Sequence, residues 1–321
     1  MFDSTNNNGE ANSIPNNPES IDLRVRIGSI SLRNPVLLAS GTAGYAREFG
    51  SLMNWDKIGG IVPKTITVLP RKGNPPPRTV ETPCGLLNSI GLDNDGIDYF
   101  ISSYLPELRK INTAIIPNVA GKSLEEFGEL ASRLAHEPGI TALELNLSCP
   151  NVSGGIDFAI DPLLAKKIVN LCTSKCSHPI IAKLTPNITD LLPIIQSVAE
   201  AGATAVSIAN TFLGMAIDWR KRKPILGNQL GGLSGPAIKP IVLRMVWQMS
   251  KVSPIPIIAV GGIGTLDDVM EFLVAGASAV QIGTANFYNP SAATKIVDEL
   301  PKAIQELGYS SLREVIGVGH Q

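Results

Sequence analysis

Short, almost continuously apolar runs alternate with amphipathic segments along most of the chain, and this alternation occurs eight times. Near-continuous hydrophobicity is typical of parallel strands that are covered on both faces. The eight predicted strands are Val36–Ala39, Gly60–Lys64, Ala114–Asn118, Ala142–Leu147, Ile180–Leu184, Ala205–Ala209, Pro256–Val260 and Ala279–Ile282. A shorter alternating pair, Leu23–Ile27 and Ile30–Leu32, predicts a small hairpin before them.

The segments between these strands carry helix start signals. Ser123–Glu126 and Thr265–Asp268 have the pattern of a cap followed by an acidic residue, and Asp161 precedes a proline at the first helical position. Thr189 and Ser234 precede two more apolar stripes at helical spacing. Strand–helix units repeated in this way predict an α/β fold of the TIM (β/α)8 barrel type, with a doubly wound open sheet as the alternative.

Two connections are longer than plain barrel loops, from residue 66 to about 112 and from 211 to 234. Both follow the carboxyl ends of strands, so we expect them to decorate the catalytic face, where they could close over it. We expect residues 21–321 to form a single domain. Residues 1–20 hold six asparagines and neither lysine nor arginine, which predicts a disordered polar tail.

Composition and charge narrow the function. Hydrophobic residues make up 44% of the 321 positions, enough for a large core. The net charge of −1 gives no electrostatic reason to expect binding to nucleic acid or to an anionic membrane. No apolar run approaches the length of a membrane span. Four cysteines without the spacing of a zinc or iron–sulfur site favour a reducing, cytoplasmic location and no metal site.

The stretch from Glu144 to Asn151 ends a predicted strand with two asparagines, a serine and a cysteine. Pro150 disfavours a helical conformation at Cys149, so the thiol is expected at the strand's carboxyl end, where barrel enzymes keep their chemistry. A buried cysteine at a turn is the simpler interpretation of a lone thiol. Several other polar strand ends favour the catalytic interpretation.

Glycine-rich turns follow the last two predicted strands, at Gly261–Gly264 and at Gly283, and a third lies at Gly232–Gly235. In a barrel, the loops after strands seven and eight form a phosphate site with an adjacent helix N-terminus. Turn geometry alone would explain any one of these glycine pairs. Three such elements in this order favour phosphate binding.

Lys64 and Lys183 each end an apolar strand run, which is costly unless the charge is paired. A structural salt bridge would explain either lysine alone. Two lysines beside a phosphate site suggest a bound anionic ring system such as a reduced flavin. Asparagines also collect at strand ends and in the long connections, where their amides would match a planar ligand with imide edges, although turns also favour asparagine. They are Asn88, Asn118, Asn146, Asn151 and Asn210.

On the basis of these motifs, the chain resembles a class 1 dihydroorotate dehydrogenase over nearly all of its length after the tail. Each motif is moderately specific, and their order makes the set highly specific. The motifs are Pro63–Thr67, Asn88–Leu92, Asn146–Asn151, Ile181–Pro186, Ala209–Thr211, Gly231–Pro236 and Val260–Gly264.

The resemblance implies FMN-dependent oxidation of (S)-dihydroorotate to orotate in de novo pyrimidine (UMP) biosynthesis. Cys149 would take the proton from C5 while hydride passes from C6 to flavin N5. Because Val152–Gly155 is rich in glycine and follows this base directly, we expect it to form a lid. The residues implied at FMN are Ala39, Ser40, Gly41, Lys64, Thr65, Asn118, Asn146, Lys183, Ile208, Gly235, Gly261, Gly262, Gly283 and Thr284. Those implied at the substrate are Lys64, Asn88, Ile90, Gly91, Leu92, Asn146, Asn151, Asn210 and Thr211.

The resemblance also separates subclasses. The quinone-linked class uses a serine base and a membrane helix, so Cys149 and the polar tail exclude it. Asn118–Gly121, Asn151–Gly155 and Leu213–Arg220 resemble the catalytic subunit of the NAD-linked, two-subunit form. That form implies a homodimer of this chain with an electron-transfer subunit carrying FAD and a 2Fe–2S cluster. A fumarate-linked homodimer is the alternative. Cys84 departs from the family pattern, where a small apolar residue is expected.

Two rival functions remain open from the residues. A flavin-dependent reductase of the dihydropyrimidine or dihydrouridine type could use the same barrel, but an RNA substrate would call for a basic surface. The pI of about 6.3 opposes that. A non-catalytic phosphate-binding barrel is the other rival, and it leaves the cysteine and the asparagines unexplained.

Overall fold

Parallel strands close into a barrel at the centre of the molecule. The computed structural model describes residues 18–148 and 160–321. In chain order the strands are β1 (Val25–Ile27), β2 (Ile30–Leu32), β3 (Val36–Leu38), β4 (Gly60–Ile61), β5 (Thr79–Thr82), β6 (Gly85–Asn88), β7 (Ala114–Ile115), β8 (Asn118–Val119), β9 (Leu143–Asn146), β10 (Ile180–Lys183), β11 (Ala205–Ile208), β12 (Phe212–Met215), β13 (Ile217–Asp218), β14 (Lys223–Pro224), β15 (Leu230–Ser234), β16 (Ile257–Val260) and β17 (Ala279–Ile282).

The barrel sheet has nine strand segments in the order β7-β4-β3-β17-β16-β11-β10-β9-β8. Its two ends, β7 and β8, are consecutive pieces of one strand, separated by Ile116 and by Pro117, which has no N–H to donate. Because β7 pairs with β4 and β8 pairs with β9, the two pieces together close the ring. The TIM barrel prediction is confirmed, and the open sheet was the wrong alternative. The predicted hairpin is also present, as β1 and β2.

Helices cover the outside of the barrel. They are α1 (Gly96–Tyr99), α2 (Leu105–Leu108), α3 (Leu124–Leu134), α4 (Pro162–Lys175), α5 (Leu192–Glu200), α6 (Lys239–Ser250), α7 (Leu266–Val274), α8 (Ala285–Tyr288), α9 (Ala292–Glu306) and α10 (Leu312–Val315), with a π-helical turn (Phe100–Tyr104) joining α1 to α2. Shorter 3-10 turns lie at Pro18–Ser20, Arg47–Leu52, Trp55–Lys57, Pro236–Ile238 and Val318–His320. Across the described ranges, no helix has the length and apolar character needed to cross a bilayer.

The predicted helix starts are mostly confirmed. The Asp161 carboxylate accepts hydrogen bonds from the first turn of α4, and Thr265 with Asp268 forms both halves of a capping box at α7. At α3 only half of the box forms, because Ser123 accepts from the Glu126 N–H while the Glu126 carboxylate turns to the N–H of Lys122.

The core fills the barrel and the space beneath its helices. Every residue of β9, β10, β11, β16 and β17 is buried. This follows from their position, because side chains on one face fill the barrel interior and those on the other pack under the helices. Burial on both faces explains why these strands are almost continuously apolar in the sequence.

The two long connections meet and form one structure. Each contributes two strands to a four-stranded antiparallel sheet with the order β12-β15-β6-β5. Asn88 pairs with Gly232 and Leu86 with Ser234 in this sheet. Both connections lie at the catalytic face, as the sequence predicted, and their pairing into one sheet is an additional finding. Of the predicted tail, Pro18–Ser20 form a turn and residues 1–17 lie outside the described ranges.

Candidate active site

A cavity of about 990 Å³ opens at the carboxyl ends of the barrel strands. Its volume lies at the upper end of the range of roughly 300–1,000 Å³ that is usual for small-molecule sites. The two insertions form one wall through the ends of β6 and β15. The cavity therefore lies between the barrel and the four-stranded sheet, with room for a ligand the size of a nucleotide.

Most residues that the sequence predicted for the cofactor and the substrate line this one cavity. They are Ala39, Ser40, Gly41, Lys64, Thr65, Asn88, Ile90, Leu92, Asn118, Asn146, Lys183, Asn210, Thr211, Gly235, Gly261, Gly262, Gly283 and Thr284. Gly91 and Ile208 are not part of the lining, and the Ile208 side chain is fully buried in the barrel. Cys149, Asn151 and the predicted lid Val152–Gly155 lie outside the described residues.

A carboxylate that the sequence analysis did not select lies beneath the cavity. Glu144 on β9 is completely buried, with 0% of its surface exposed. One of its oxygens accepts a hydrogen bond from the Asn118 amide at 2.7 Å. The other accepts from the Ser207 hydroxyl at 2.7 Å and from the Gln281 amide at 2.6 Å. These donors suit a carboxylate, which only accepts hydrogen bonds.

Lys183 reaches the same carboxylate from β10. Its ammonium nitrogen is 3.7 Å from a Glu144 oxygen, close enough for an ion pair but longer than a hydrogen bond. Only 6% of Lys183 is exposed, and it lines the cavity. The salt-bridge interpretation of this lysine is thus correct, and it leaves the donors of the ammonium group available to a ligand.

Lys64 is a different kind of lysine. It follows β4 at the cavity wall, where its backbone N–H donates to the Gly44 carbonyl at 2.9 Å. Among the described residues no carboxylate forms a salt bridge with its side chain. Its half-buried ammonium group is therefore suited to pair with an anionic group of a ligand.

The Asn118 amide is held from both sides. Its oxygen accepts a hydrogen bond from the Thr65 hydroxyl at 2.6 Å, and its nitrogen donates to Glu144. Ser40 continues this series of hydrogen bonds, because its hydroxyl is 3.3 Å from that of Thr65. These partners fix the orientation of the amide, so one N–H of Asn118 remains for the cavity.

Asparagines also surround the opposite side of the cavity. The Asn210 amide donates to the Asn146 side-chain oxygen at 3.1 Å, and that oxygen also accepts from the Ser148 N–H at 3.3 Å. The Asn88 amide donates to the Gly232 carbonyl at 3.2 Å across the insertion sheet. Fixed amide groups of this kind can pair with the donors and acceptors of a planar ligand.

The glycines at the far end of the cavity have two different explanations. Gly262 has φ +72°, and a Cβ there would lie 2.5 Å from the Cβ of Lys239, so packing alone requires glycine. At Gly283 a Cβ would make only ordinary contacts, the nearest at 3.5 Å with Ala39. The protein itself leaves space for a side chain at Gly283, so close approach by a ligand explains this glycine better.

One helix start at this end is already occupied. The Asp268 carboxylate accepts from the backbone N–H groups of Gly264 and Thr265 at 2.9 Å, and Lys239 donates to it at 2.5 Å. Burial opposes the charges of both residues, but their hydrogen bonds prevail, so the pKa of Lys239 is raised and that of Asp268 is lowered. The α7 N-terminus is thus capped by its own acid, which leaves the turns at Gly235, Gly261 and Gly283 for a phosphate.

The described cysteines differ in their suitability as bases. Burial raises the pKa of the Cys172 thiol to about 12, and burial also raises the pKa of Cys176. Neither lines the cavity. Cys84 is exposed and lines the cavity. In the described ranges no group of three or more His, Cys, Asp or Glu residues is arranged to hold a metal ion.

The sequence did contain a signal for the buried network. Ser207 and Gln281 are each the single polar residue of an otherwise apolar strand run, and Glu144 lies between Leu143 and Leu145 in a run that also contains Asn146. Such a residue is unfavourable in a barrel interior unless it has a partner. Each was treated as part of a strand, and only the closed barrel brings the three together.

The chain is similar to known dihydroorotate dehydrogenases over most of its length. The family model for dihydroorotate dehydrogenase matches residues 22–304. Three similar curated proteins, each a catalytic subunit of dihydroorotate dehydrogenase B (NAD(+)), come from Geotalea uraniireducens, Geotalea daltonii and Desulforamulus reducens. The two Geotalea proteins are 50% and 52% identical to this chain over 92% of its length and 97% of theirs. The third is 48% identical over 94% of this chain and 99% of its own.

Proposed function

Because the chain belongs to the dihydroorotate dehydrogenase family, we propose that it oxidises (S)-dihydroorotate to orotate in pyrimidine biosynthesis with FMN as its cofactor. The observation that carries the proposal is one cavity with two unlike lysines. Lys183 is held in an ion pair at the floor, whereas Lys64 has no salt-bridge partner among the described residues. A flavin and a carboxylate substrate bound together would need these two cations.

The chain's residues fit FMN. The space at Gly283 and the turns at Gly235 and Gly261 would receive the phosphate, and Thr284 would add a hydroxyl there. Asn118 would meet the ring system at the floor of the cavity, together with Lys183. When bound, FMN supplies the hydride acceptor of the reaction.

The opposite wall fits dihydroorotate. Lys64 would bind the substrate carboxylate through a charge-assisted hydrogen bond. Asn88, Asn146 and Asn210 would bind the amide and imide edges of the ring, since each amide offers a donor and an acceptor. Their hydrogen bonds to one another and to the backbone orient them before substrate arrives.

Cys149 is the proposed base that removes the proton from C5. It lies outside the described residues, directly after Ser148, whose N–H is bound to the Asn146 side chain. Among the described residues, the side chains that line the cavity include no histidine. A free thiol has a pKa of about 8.5, so the rate of proton removal should rise with pH as the thiol ionises. Asn151 and the Val152–Gly155 lid are proposed to complete this side.

We further infer that electrons leave the chain through a partner subunit that carries FAD and a 2Fe–2S cluster and reduces NAD⁺. The printed names of the relatives, catalytic subunit and NAD(+), support this inference. A row of exposed apolar side chains also supports it, because a subunit interface would cover such a row. The row consists of Leu213, Met215, Ile217 and Trp219, which alternate along the ribbon that leaves the cavity wall at Thr211. The proposed assembly contains two copies of this chain.

We also propose a cytoplasmic location. The described cysteines, Cys84, Cys172 and Cys176, are all free thiols, which fits a reducing compartment.

The test compares two substrates. The purified chain, loaded with FMN, should oxidise dihydroorotate with an artificial dye as acceptor and should yield orotate. Dihydrouracil has the same ring without the carboxylate, so it should react poorly because Lys64 has nothing to bind. Equal turnover of the two substrates would favour a dihydropyrimidine-type reductase. Efficient NAD⁺ or fumarate reduction by this chain alone would contradict the proposed partner.

A further inference from the structure

Glu144 has no part in the proposed steps, although it contacts two residues that line the cavity, Asn118 and Lys183. Its carboxylate is completely buried and accepts three hydrogen bonds, from residues on three other barrel strands. Burying a charge is expensive, and a buried ion pair gives no more stability than a well-packed apolar core would give. Stability alone therefore does not explain an acid at this position.

Glu144 is connected to the cavity by Asn118. The hydrogen bond from the Asn118 amide to Glu144 occupies one N–H, and the bond from Thr65 to the Asn118 oxygen fixes which way the amide faces. With a neutral apolar residue at 144, the amide could rotate and present its oxygen instead. Glu144 and Thr65 together therefore orient the amide so that a donor faces the ligand.

Glu144 is also connected to the cavity by Lys183. The carboxylate oxygen and the ammonium nitrogen are 3.7 Å apart, and both residues are buried. At this separation in a weakly polar interior the negative charge offsets much of the field of the ammonium group. A ligand above Lys183 therefore meets a partly neutralised cation.

We propose that Glu144 is a positioning residue that orients Asn118 and moderates the charge of Lys183, and so lowers the reduction potential of the bound flavin. The proposal rests on the proposed function, since it requires FMN on the cavity floor. Reduction adds negative charge to the ring, which a full ammonium charge would stabilise. Partial neutralisation of Lys183 weakens this stabilisation and makes it easier to pass the electrons on to a further acceptor.

The test is Glu144→Gln, which removes the charge and keeps the shape. The barrel can accept the new amide, because the buried side-chain oxygen of Gln281 has no hydrogen-bond partner among the described residues and can turn to accept from it. The midpoint potential of the FMN-loaded chain should become more positive. We expect at least a tenfold rise in the equilibrium constant for reduction, about 30 mV for a two-electron couple.

Three further variants complete the test. Lys183→Gln should shift the potential in the opposite direction. Ser207→Ala removes a hydrogen bond to Glu144 but leaves the negative charge of Glu144 in place. The equilibrium constant for flavin reduction should therefore change by less than about threefold. Glu144→Asp keeps a carboxylate but withdraws it from Lys183, and it should give a smaller positive shift even if Glu144→Gln does not fold.

The result that overturns the proposal is a potential that does not become more positive in either Glu144 variant while thermal stability falls. Glu144 would then be a structural residue only. A wild-type chain that fails to bind FMN, or whose FMN dihydroorotate does not reduce, would instead refute the proposed function. The two failures are therefore distinguishable.

Discussion

The floor and the rim of the cavity are built in different ways. On the floor, side chains from separate barrel strands hold one another, as Glu144 holds Asn118 and lies beside Lys183. On the rim, backbone pairing between the two insertions carries the structure, and side chains such as Trp219 extend into solvent with 70% exposure. A floor that is fixed and buried suits a resident cofactor. A rim with open side chains suits a substrate and a partner that come and go.

The same contrast separates the two lysines of the site. Lys183 has a fixed carboxylate partner and is almost fully buried. Lys64 is half-buried and keeps its charge for a ligand. One residue type thus serves two purposes, and its neighbours determine which. Variants that affect the floor and the rim separately test this division.

The largest expected effect is at Cys149, which follows the floor strand β9 in the chain. Cys149→Ser should leave FMN bound but slow its reduction by dihydroorotate roughly 10²–10⁴-fold at neutral pH, the usual contribution of a positioned base. Rapid mixing without oxygen measures this rate. Cys84→Ala is the matched control at the other thiol near the cavity and should change little. A Cys149→Ser variant with near wild-type speed would refute the assignment of the base.

The next effect separates the lysines. Lys64→Ala should weaken orotate binding about 10- to 100-fold, since a hydrogen bond between charged groups is lost. Lys183→Ala should instead make the flavin harder to reduce and leave orotate affinity nearly unchanged. Titration of orotate, with uracil as the matched ligand that lacks the carboxylate, measures the difference. The same defect in both variants would remove the distinction between floor and rim.

A smaller effect is expected on the rim. Trp219→Ser should weaken assembly about tenfold, as truncation of a large apolar side chain in an interface does. Reduction of FMN by dihydroorotate should stay at the wild-type rate. Sedimentation of the chain with and without the electron-transfer subunit provides the measurement. Leu307→Ser removes another exposed apolar side chain, away from this ribbon, as a control. Unchanged assembly with Trp219→Ser would show that the apolar row is not an interface.

The smallest effect concerns the capped helix at the phosphate end. Asp268→Asn should reduce the free energy of unfolding by about 1 kcal/mol at pH 7, the usual weight of an N-terminal cap. Because the folded pKa of Asp268 is lowered, its contribution is present above the unfolded value near 3.9 and is lost as the pH falls through the folded value. Urea unfolding should therefore show a smaller difference between variant and wild type near pH 3. A difference that does not depend on pH would exclude this ion pair as its source.

The barrel could be predicted from the sequence because most of its strands are buried on both faces and are therefore mainly apolar. The ends of those strands were also predictable, and with them Lys64, Lys183 and most of the cavity lining. The insertion sheet was not. Its strands are short, and Leu230–Ser234 is rich in glycine. Because this strand has no alternation of polar and apolar residues, its pairing with Gly85–Asn88 could not be predicted.

The buried hydrogen-bond network around Glu144 could not be predicted from the sequence, for a different reason. Glu144 binds Ser207 and Gln281, which are 63 and 137 positions away in the chain. Nothing local relates these residues, and they meet only when the barrel closes. Each polar residue was visible as an interruption of an apolar strand. The hydrogen bonds that Ser207 and Gln281 both donate to Glu144 could not be predicted from the sequence.

The visible spectrum of the purified chain shows whether this cavity brings a flavin and dihydroorotate together. The chain should be yellow with bound FMN. Adding dihydroorotate without oxygen should bleach the oxidised flavin and release orotate in an equal amount, whereas dihydrouracil should bleach it far more slowly. A colourless protein that takes up no FMN, or a flavin that stays oxidised after dihydroorotate is added, would refute the proposed function.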